Sequence, residues 1–185
     1  VRWELERVGP SRDRGETGDA AAGKELVPEV FSEDFLWTCT TCRACEYECP
    51  VGIEHISTII DMRRNRVLME SEFPPELTQT FNNLENTGNP WGMSDRMEWA
   101  AGLDVPVVGD DAPEYLYWVG CAGAFDRAGQ NVARSVVQLL GAAGVDYAVL
   151  GQEETCTGDS ARRLGNEYLF QMLAETNMMT FQELG

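Results

Sequence analysis

The chain is poor in lysine and histidine and has no long apolar run. Lys24 is the one lysine and His55 the one histidine in 185 residues. Fourteen basic residues face 31 acidic ones, for a net charge of −17. A surface of that sign repels nucleic acid and anionic lipid, so neither is expected as a general partner. No Ser–His–acid set assembles around a single histidine. Neither a phosphate-binding loop nor a G-x-G-x-x-G fingerprint occurs. The longest apolar stretch, Val136 to Val145, contains Gln138 and Gly141 and falls short of the ~20 residues of a membrane helix. The opening Val1-Arg2-Trp3-Glu4 reads as no signal peptide, and without a Met it reads as part of a longer chain. A cytoplasmic setting is the expectation.

What is present suits a soluble globular protein. Hydrophobic residues make up 43% and charged residues 24%. The length fits one domain or two small ones. Scarce lysine with abundant carboxylate has two readings of equal weight: adaptation to high salt, or an acidic protein from a GC-rich genome.

Composition divides the chain. Residues 1–30 are expected to be a linker or poorly ordered arm, with Gly9, Pro10, Gly15, Gly18 and Gly23 and no hydrophobic period. Residues 31–104 read as a helical cysteine module. A helical turn is expected from Phe31 to Trp37, and a helix from Ile53 to Met69 with Ile56, Ile59, Ile60 and Arg63/Arg64 split between two faces. Another helix runs from Pro74-Pro75 to about Leu84, and a short one from Ser94 to Ala101. Residues 112–185 change pattern. A strand over Glu114–Val119 leads to Cys121, and Asp126 caps a helix with Val132, Val136, Leu139 and Leu140 on its stripe. A second strand spans Val145–Leu150. A helix then starts at Asp159 or Ser160 and runs through Leu164, Tyr168 and Met172. The fold class is therefore α+β: a helical ferredoxin-type module, then a partial strand–helix–strand–helix domain with parallel strands.

The chemistry concentrates in the cysteines. Cys39, Cys42, Cys45 and Cys49, followed by Pro50, form the C-x2-C-x2-C-x3-C-P run of a bacterial [4Fe–4S] ferredoxin. Evenly spaced thiolates wrap a loop around one face of a cubane and aim backbone amides at it. Zinc sites use two separated pairs instead, and a disulfide framework belongs to secreted chains. In two-cluster ferredoxins the fourth Cys ligates the other cluster. Cys39, Cys42 and Cys45 then hold one cluster, and Cys49 reaches toward a second whose other ligands this chain lacks. The alternative is local recruitment of Cys49. Cys121 and Cys156 each follow a predicted strand, at the end of an α/β sheet where ligands bind. A pair of small buried hydrophobes is the competing reading for them. His55, Arg162, Arg163, Trp91 and Trp118 are lesser candidates. The tryptophans are expected in the core, His55 as a capping or solvated residue, and the two arginines either at the surface or beside a cluster.

The segments WTCTTCRACEYECPVGIEH, NPWG, YLYWVGCAGAFD and GQEETCTGDSARRLGNEYLFQ, in this order, resemble the cysteine-rich iron–sulfur proteins related to heterodisulfide reductase. That family includes the glycolate oxidase iron–sulfur subunit and membrane-associated iron–sulfur oxidoreductases. The resemblance implies two ferredoxin-type runs, then domains carrying a lone Cys, a Cys-Cys-Gly and a closing Cys-x-x-Cys. Cys121 matches the lone Cys and Cys156 the first of the pair, with 34 residues between them. A further cluster near Cys121 and Cys156 is thereby implied. Thr157 stands where the family has its second Cys, which weighs against the unusual disulfide-cleaving cluster. The closing pair would fall beyond Gly185.

Three functions follow as expectations. The first is an electron-transfer subunit or domain between a flavin-containing dehydrogenase or electron-transfer flavoprotein subunit and a quinone or disulfide acceptor. A membrane haem or quinone-reactive subunit would hold it peripherally at the inner face of the membrane. The second is a disulfide reductase working at Cys121 and Cys156. The third is a structural metal-binding module.

Overall fold

The computed structural model describes residues 25–109 and 112–184. Its packing divides the chain into two compact units, one comprising Val1–Pro74 with Arg163–Asn166, the other Pro75–Arg162 with Glu167–Gly185. The architecture is α+β, mostly helical with one small parallel sheet.

In the first unit, Ser32 starts helix α1 (Glu33–Thr38) because its hydroxyl accepts the Phe35 amide at 3.2 Å. One turn, α2 (Ala44–Tyr47), follows the first two cysteines and carries the third. Helix α3 (His55–Asn65) then runs into a wide turn, Arg66–Glu70, that closes on Ser71. Leu36, Ile56, Ile59 and Met62 pack with Val27 and Phe31 in one buried cluster. Most of the arm expected over residues 1–30 lies outside the described residues. Its last part is no linker, since Val27 is buried in that core.

The second unit opens with α4 (Glu76–Thr87), which starts after Pro75 and stops at Gly88 in the left-handed region. The helix expected over Ser94–Ala101 is a single tight turn, Glu98–Ala100. Strands β1 (Tyr115–Leu116) and β2 (Tyr147–Ala148) pair in parallel, with Tyr115 opposite Tyr147 and Leu116 opposite Ala148. They are shorter than the expected strands because β1 gives way to a turn at Gly120 (φ 74°). Val107 adds a parallel bridge to Val149. Between the strands lie α5 (Gly120–Phe125) and α6 (Arg127–Ala142). Asp126 caps α6 as expected, accepting the Gly129 amide at 2.9 Å.

The buried face of α6 coincides only in part with the predicted stripe, of which Leu140 packs against the core. Ala133 and Val137 face the core, while Val132 and Leu139 are exposed. Small residues are buried there because α5 crosses closely at Gly129, where a Cβ would lie 2.2 Å from the Ala122 carbonyl oxygen. Trp99 and Ala100 join this core with Ala124, Phe125, Tyr147 and Val149. Arg134 also donates to the Trp99 and Ala101 carbonyls. Packing thus groups residues 75–104 with the α/β half, whereas the sequence pattern groups them with the cysteine module.

The last predicted helix is two, α7 (Asp159–Arg163) and α8 (Glu167–Leu184), broken at Gly165 (φ 88°). A Cβ at Gly165 would sit 2.5 Å from the Arg63 carbonyl carbon. We expect Gly165→Ala to lower stability by at least about 2 kcal/mol in urea unfolding, through both clash and left-handed strain. Gly141→Ala, with nothing within 4 Å of the new methyl, is expected to gain about 0.5 kcal/mol.

Candidate metal centre and thiol pair

The loop carrying Cys39, Cys42, Cys45 and Cys49 is held in an unusual backbone shape. Thr41 (φ 55°) and Arg43 (φ 64°) are both left-handed without being glycine, at a cost of about 1 kcal/mol each. Alternating left- and right-handed residues turn successive N–H groups to one side, a concavity suited to anions. The N–H groups reach sulfur. Thr41 donates to Cys39 Sγ at 3.4 Å and Ile53 to Cys49 Sγ at 3.3 Å. The Ala44 amide, with the Thr40 hydroxyl, holds the Cys42 thiol below its usual pKa. The amides of Ile53 and Val51 do the same for Cys49. Cys42 and Cys45 face solvent.

Glu46 ties this loop to α3, where its carboxylate accepts the Ile56 amide at 2.8 Å. Among the described residues no three His, Cys, Asp or Glu side chains converge as a metal-ion site. Thiols presented with N–H donors on one strained loop nonetheless fit the donor chemistry of an anionic iron–sulfur group.

Arg63 lies behind this loop and is 2% exposed. Its guanidinium donates to the Leu36 carbonyl at 3.0 and 2.6 Å, to the Cys39 carbonyl at 2.6 Å and to the Arg163 carbonyl at 2.9 Å. It lies 5.3 Å from the centre of the Trp37 ring. Burial lowers its pKa, and the charge of Cys39 opposes that shift. Arg163 also donates to the Thr41 hydroxyl at 3.3 Å. His55 begins α3, with Nδ1 buried and unpartnered among the described residues.

The second unit brings Cys121 and Cys156 together. Cys121 opens α5, and Cys156 follows the Gly151–Glu153 turn. Their sulfurs share a hydrogen bond that lowers the Cys156 thiol to about 6 and raises Cys121. The Cys156 segment is pinned on three sides. Its amide donates to the Gly88 carbonyl at 2.8 Å, its carbonyl accepts Asn177 Nδ2 at 2.9 Å, and its sulfur accepts the Gly158 amide at 3.4 Å.

Arg96 places both Nη atoms 3.6 Å from Cys121 Sγ and lies 5.3 Å from the Phe125 ring centre. It also donates to Glu154 at 2.9 Å, and these side chains are 6% and 2% exposed. Glu154 in turn accepts the amides of Val119 and Gly120 at 2.9 and 2.8 Å, fixing the entry to α5.

Sequence reasoning placed Cys121 and Cys156 each at the end of a strand but gave no sign of the ion pair beside them. Glu154 lies two residues before Cys156, and Arg96 stands alone 58 positions away, so spacing carried no signal for the pair. Arg162, offered as a counter-charge, lies over the Phe170 ring at 4.9 Å and 3.8 Å from Glu167. Trp91, expected in the core, is 45% exposed.

Residues 115–185 match a family model described as a cysteine-rich domain, and residues 5–53 match a 4Fe-4S dicluster domain. Residues 5–38 of that match contain no cysteine, so the chain has one ferredoxin run. The probable iron-sulfur-binding oxidoreductase FadF of Bacillus subtilis is 42% identical over 168 residues, covering 85% of this chain and 24% of that protein. The EtfAB:quinone oxidoreductase of Syntrophomonas wolfei is 42% identical over 170 residues, 88% of this chain and 24% of that one. A component of the dihydromethanophenazine:CoB–CoM heterodisulfide reductase of Methanosarcina barkeri is 28% identical, with 88% and 40% covered. The chain spans about a quarter of the length of the first two relatives. No solved structure matches.

Arg96→Met leaves Glu154 as a buried, unpaired charge. We expect a loss of about 3–5 kcal/mol in urea unfolding, with the double variant Arg96→Met, Glu154→Gln losing less than Arg96→Met alone.

Proposed function

We propose that this chain, which belongs to the cysteine-rich iron–sulfur oxidoreductases related to heterodisulfide reductase, is the electron-transfer part of an oxidoreductase complex. The observation that carries this reading is the strained Cys39–Cys49 loop, with main-chain N–H groups set against three of its four sulfurs. Cys39, Cys42 and Cys45 would hold a [4Fe–4S] cluster, with Cys49 directed to a second one. Such a cluster supplies one-electron transfer when bound.

The chain's own contribution is binding and tuning. Thr41, Ala44 and Ile53 offer N–H donors that stabilise ionised sulfur, and such donors are a lever on cluster potential. Glu46 fixes the loop on α3. Cys42 and Cys45 lie on the exposed side, where a partner can approach.

A flavin-bearing donor and a quinone acceptor are the partners best supported, because one relative is named an EtfAB:quinone oxidoreductase. No described helix is long and apolar enough to cross a membrane. Contact with a quinone pool would then run through a partner or a further segment at the inner face.

A second reading is disulfide reduction at a further cluster near Cys121 and Cys156. The meeting of these two thiols beside Arg96 favours it, and Thr157 in place of the family's second cysteine weighs against it.

Metal and sulfide analysis of anaerobically purified protein tests the main reading. We expect iron and acid-labile sulfide in equal amounts, and no zinc. Cys42→Ser and Cys45→Ser are each expected to lose most of both, while Cys121→Ser retains them. Zinc without sulfide overturns the proposal in favour of a structural module.

A further inference from the structure

Two arginines lie one turn apart on the same stretch of the first unit, and they are neutralised differently. Arg66, 6% exposed, is paired with three carboxylates, Glu33, Glu70 and Glu72. Arg63 is more deeply buried, yet every hydrogen bond it makes among the described residues goes to a neutral main-chain carbonyl. Such an arrangement is costly, because a buried cation held only by dipoles keeps most of its desolvation penalty. In a chain with 31 carboxylates the missing partner is not explained by scarcity.

The carbonyls Arg63 selects are informative. Leu36 lies in the last turn of α1, and Cys39 is the residue that ends it. A helix end carries partial negative charge, at most about half a unit for a long helix, and α1 has only six residues. Most of the guanidinium charge therefore remains unmatched. The nearest of these carbonyls, at 2.6 Å, include that of Cys39, the first cysteine of the run.

We infer that Arg63 is the positioning and charge-compensating residue of the cluster bound by the Cys39–Cys49 loop. This inference rests on the cluster reading above. Arg63 clamps the end of α1 to the first cysteine and to the Arg163 carbonyl, so the loop is seated before any ligand arrives. Its fixed positive charge then meets the negative charge of the cluster. One-electron reduction adds a further negative charge and breaks no bond, so a buried cation beside Cys39 raises the reduction potential.

The test compares the full chain with Arg63→Lys and Arg63→Gln, each loaded anaerobically with iron and sulfide. Two quantities are read: the half-time of iron release to a chelator, and the midpoint potential from an EPR-monitored dithionite titration. Lysine keeps the charge but lacks the planar fork that serves three carbonyls. Arg63→Lys is expected to release iron at least about tenfold faster, with its potential close to that of the parent. Arg63→Gln is expected also to lower the potential, by about 59 mV for a tenfold change in the one-electron equilibrium. Variants that match the parent in both quantities overturn the inference while leaving the cluster reading intact. Should Arg63→Gln fail to fold, unchanged iron release from Arg63→Lys overturns the clamp by itself. A parent protein that takes up no iron and sulfide overturns the cluster reading first, and Arg63's role with it.

Discussion

Neutralising buried arginine is the constraint on which the described structure turns. The chain has a net charge of −17, yet Arg63, Arg66 and Arg96 are all buried. Burying a guanidinium costs several kcal/mol unless its five donors and its charge are answered. Each arginine is held in its own way, and each arrangement organises its surroundings. Arg66 draws carboxylates from α1 and from the turn after α3, tying Glu33 to Glu70 and Glu72. Arg63 binds carbonyls and so fixes the path of the chain into the first cysteine. Arg96 joins Glu154, which then holds the amides that open α5 at Cys121.

Around both cysteine sites, side chains do the hydrogen bonding that regular structure would otherwise do. The NTGNPWG loop is the clearest case. Asn89 is fully buried, donates to the Thr87 and Met93 carbonyls, and accepts the Trp91 and Met93 amides. That network fixes the segment beyond Gly88, whose carbonyl receives the Cys156 amide. Thr155 and Asn177 close the other side, with Thr155 donating to the Asn177 side chain and Asn177 to the Cys156 carbonyl. Irregular backbone is tolerable inside a protein only when its polar groups are matched in this way. The reward is a sulfur whose position does not depend on a long strand.

How much of this was legible beforehand follows from the range of the interactions. Signals confined to a few residues read well. The cysteine run, Asp126 as a helix cap and the Pro75 start of α4 all depend on neighbours within one or two turns. The placing of Cys121 and Cys156 after two parallel strands followed from the alternation of strand and helix. Signals that depend on packing did not read. The apolar period of α6 fits Val132 and Leu139 on the inner stripe as well as Ala133 and Val137, and only the close approach of α5 decides between them. Gly165 looked like an ordinary residue within one helix, because the Arg63 backbone that excludes a side chain there lies about 100 positions away in sequence. Arg96 and Glu154 gave no pattern for the same reason.

The two thiol sites differ in their charge balance, and that difference separates their roles. At the first, Arg63 supplies a buried cation whose hydrogen bonds all go to main-chain carbonyls. At the second, Arg96 is already matched by Glu154 while its two Nη atoms lie 3.6 Å from the Cys121 sulfur. An anionic ligand at the second site meets a cation already shared with a carboxylate, whereas at the first it meets one that pairs with no carboxylate among the described residues. Like charges gathered in a low-dielectric interior repel strongly, and opposite ones attract to a similar degree. Within this chain these electrostatics support the proposed placing of the cluster on the Cys39–Cys49 loop.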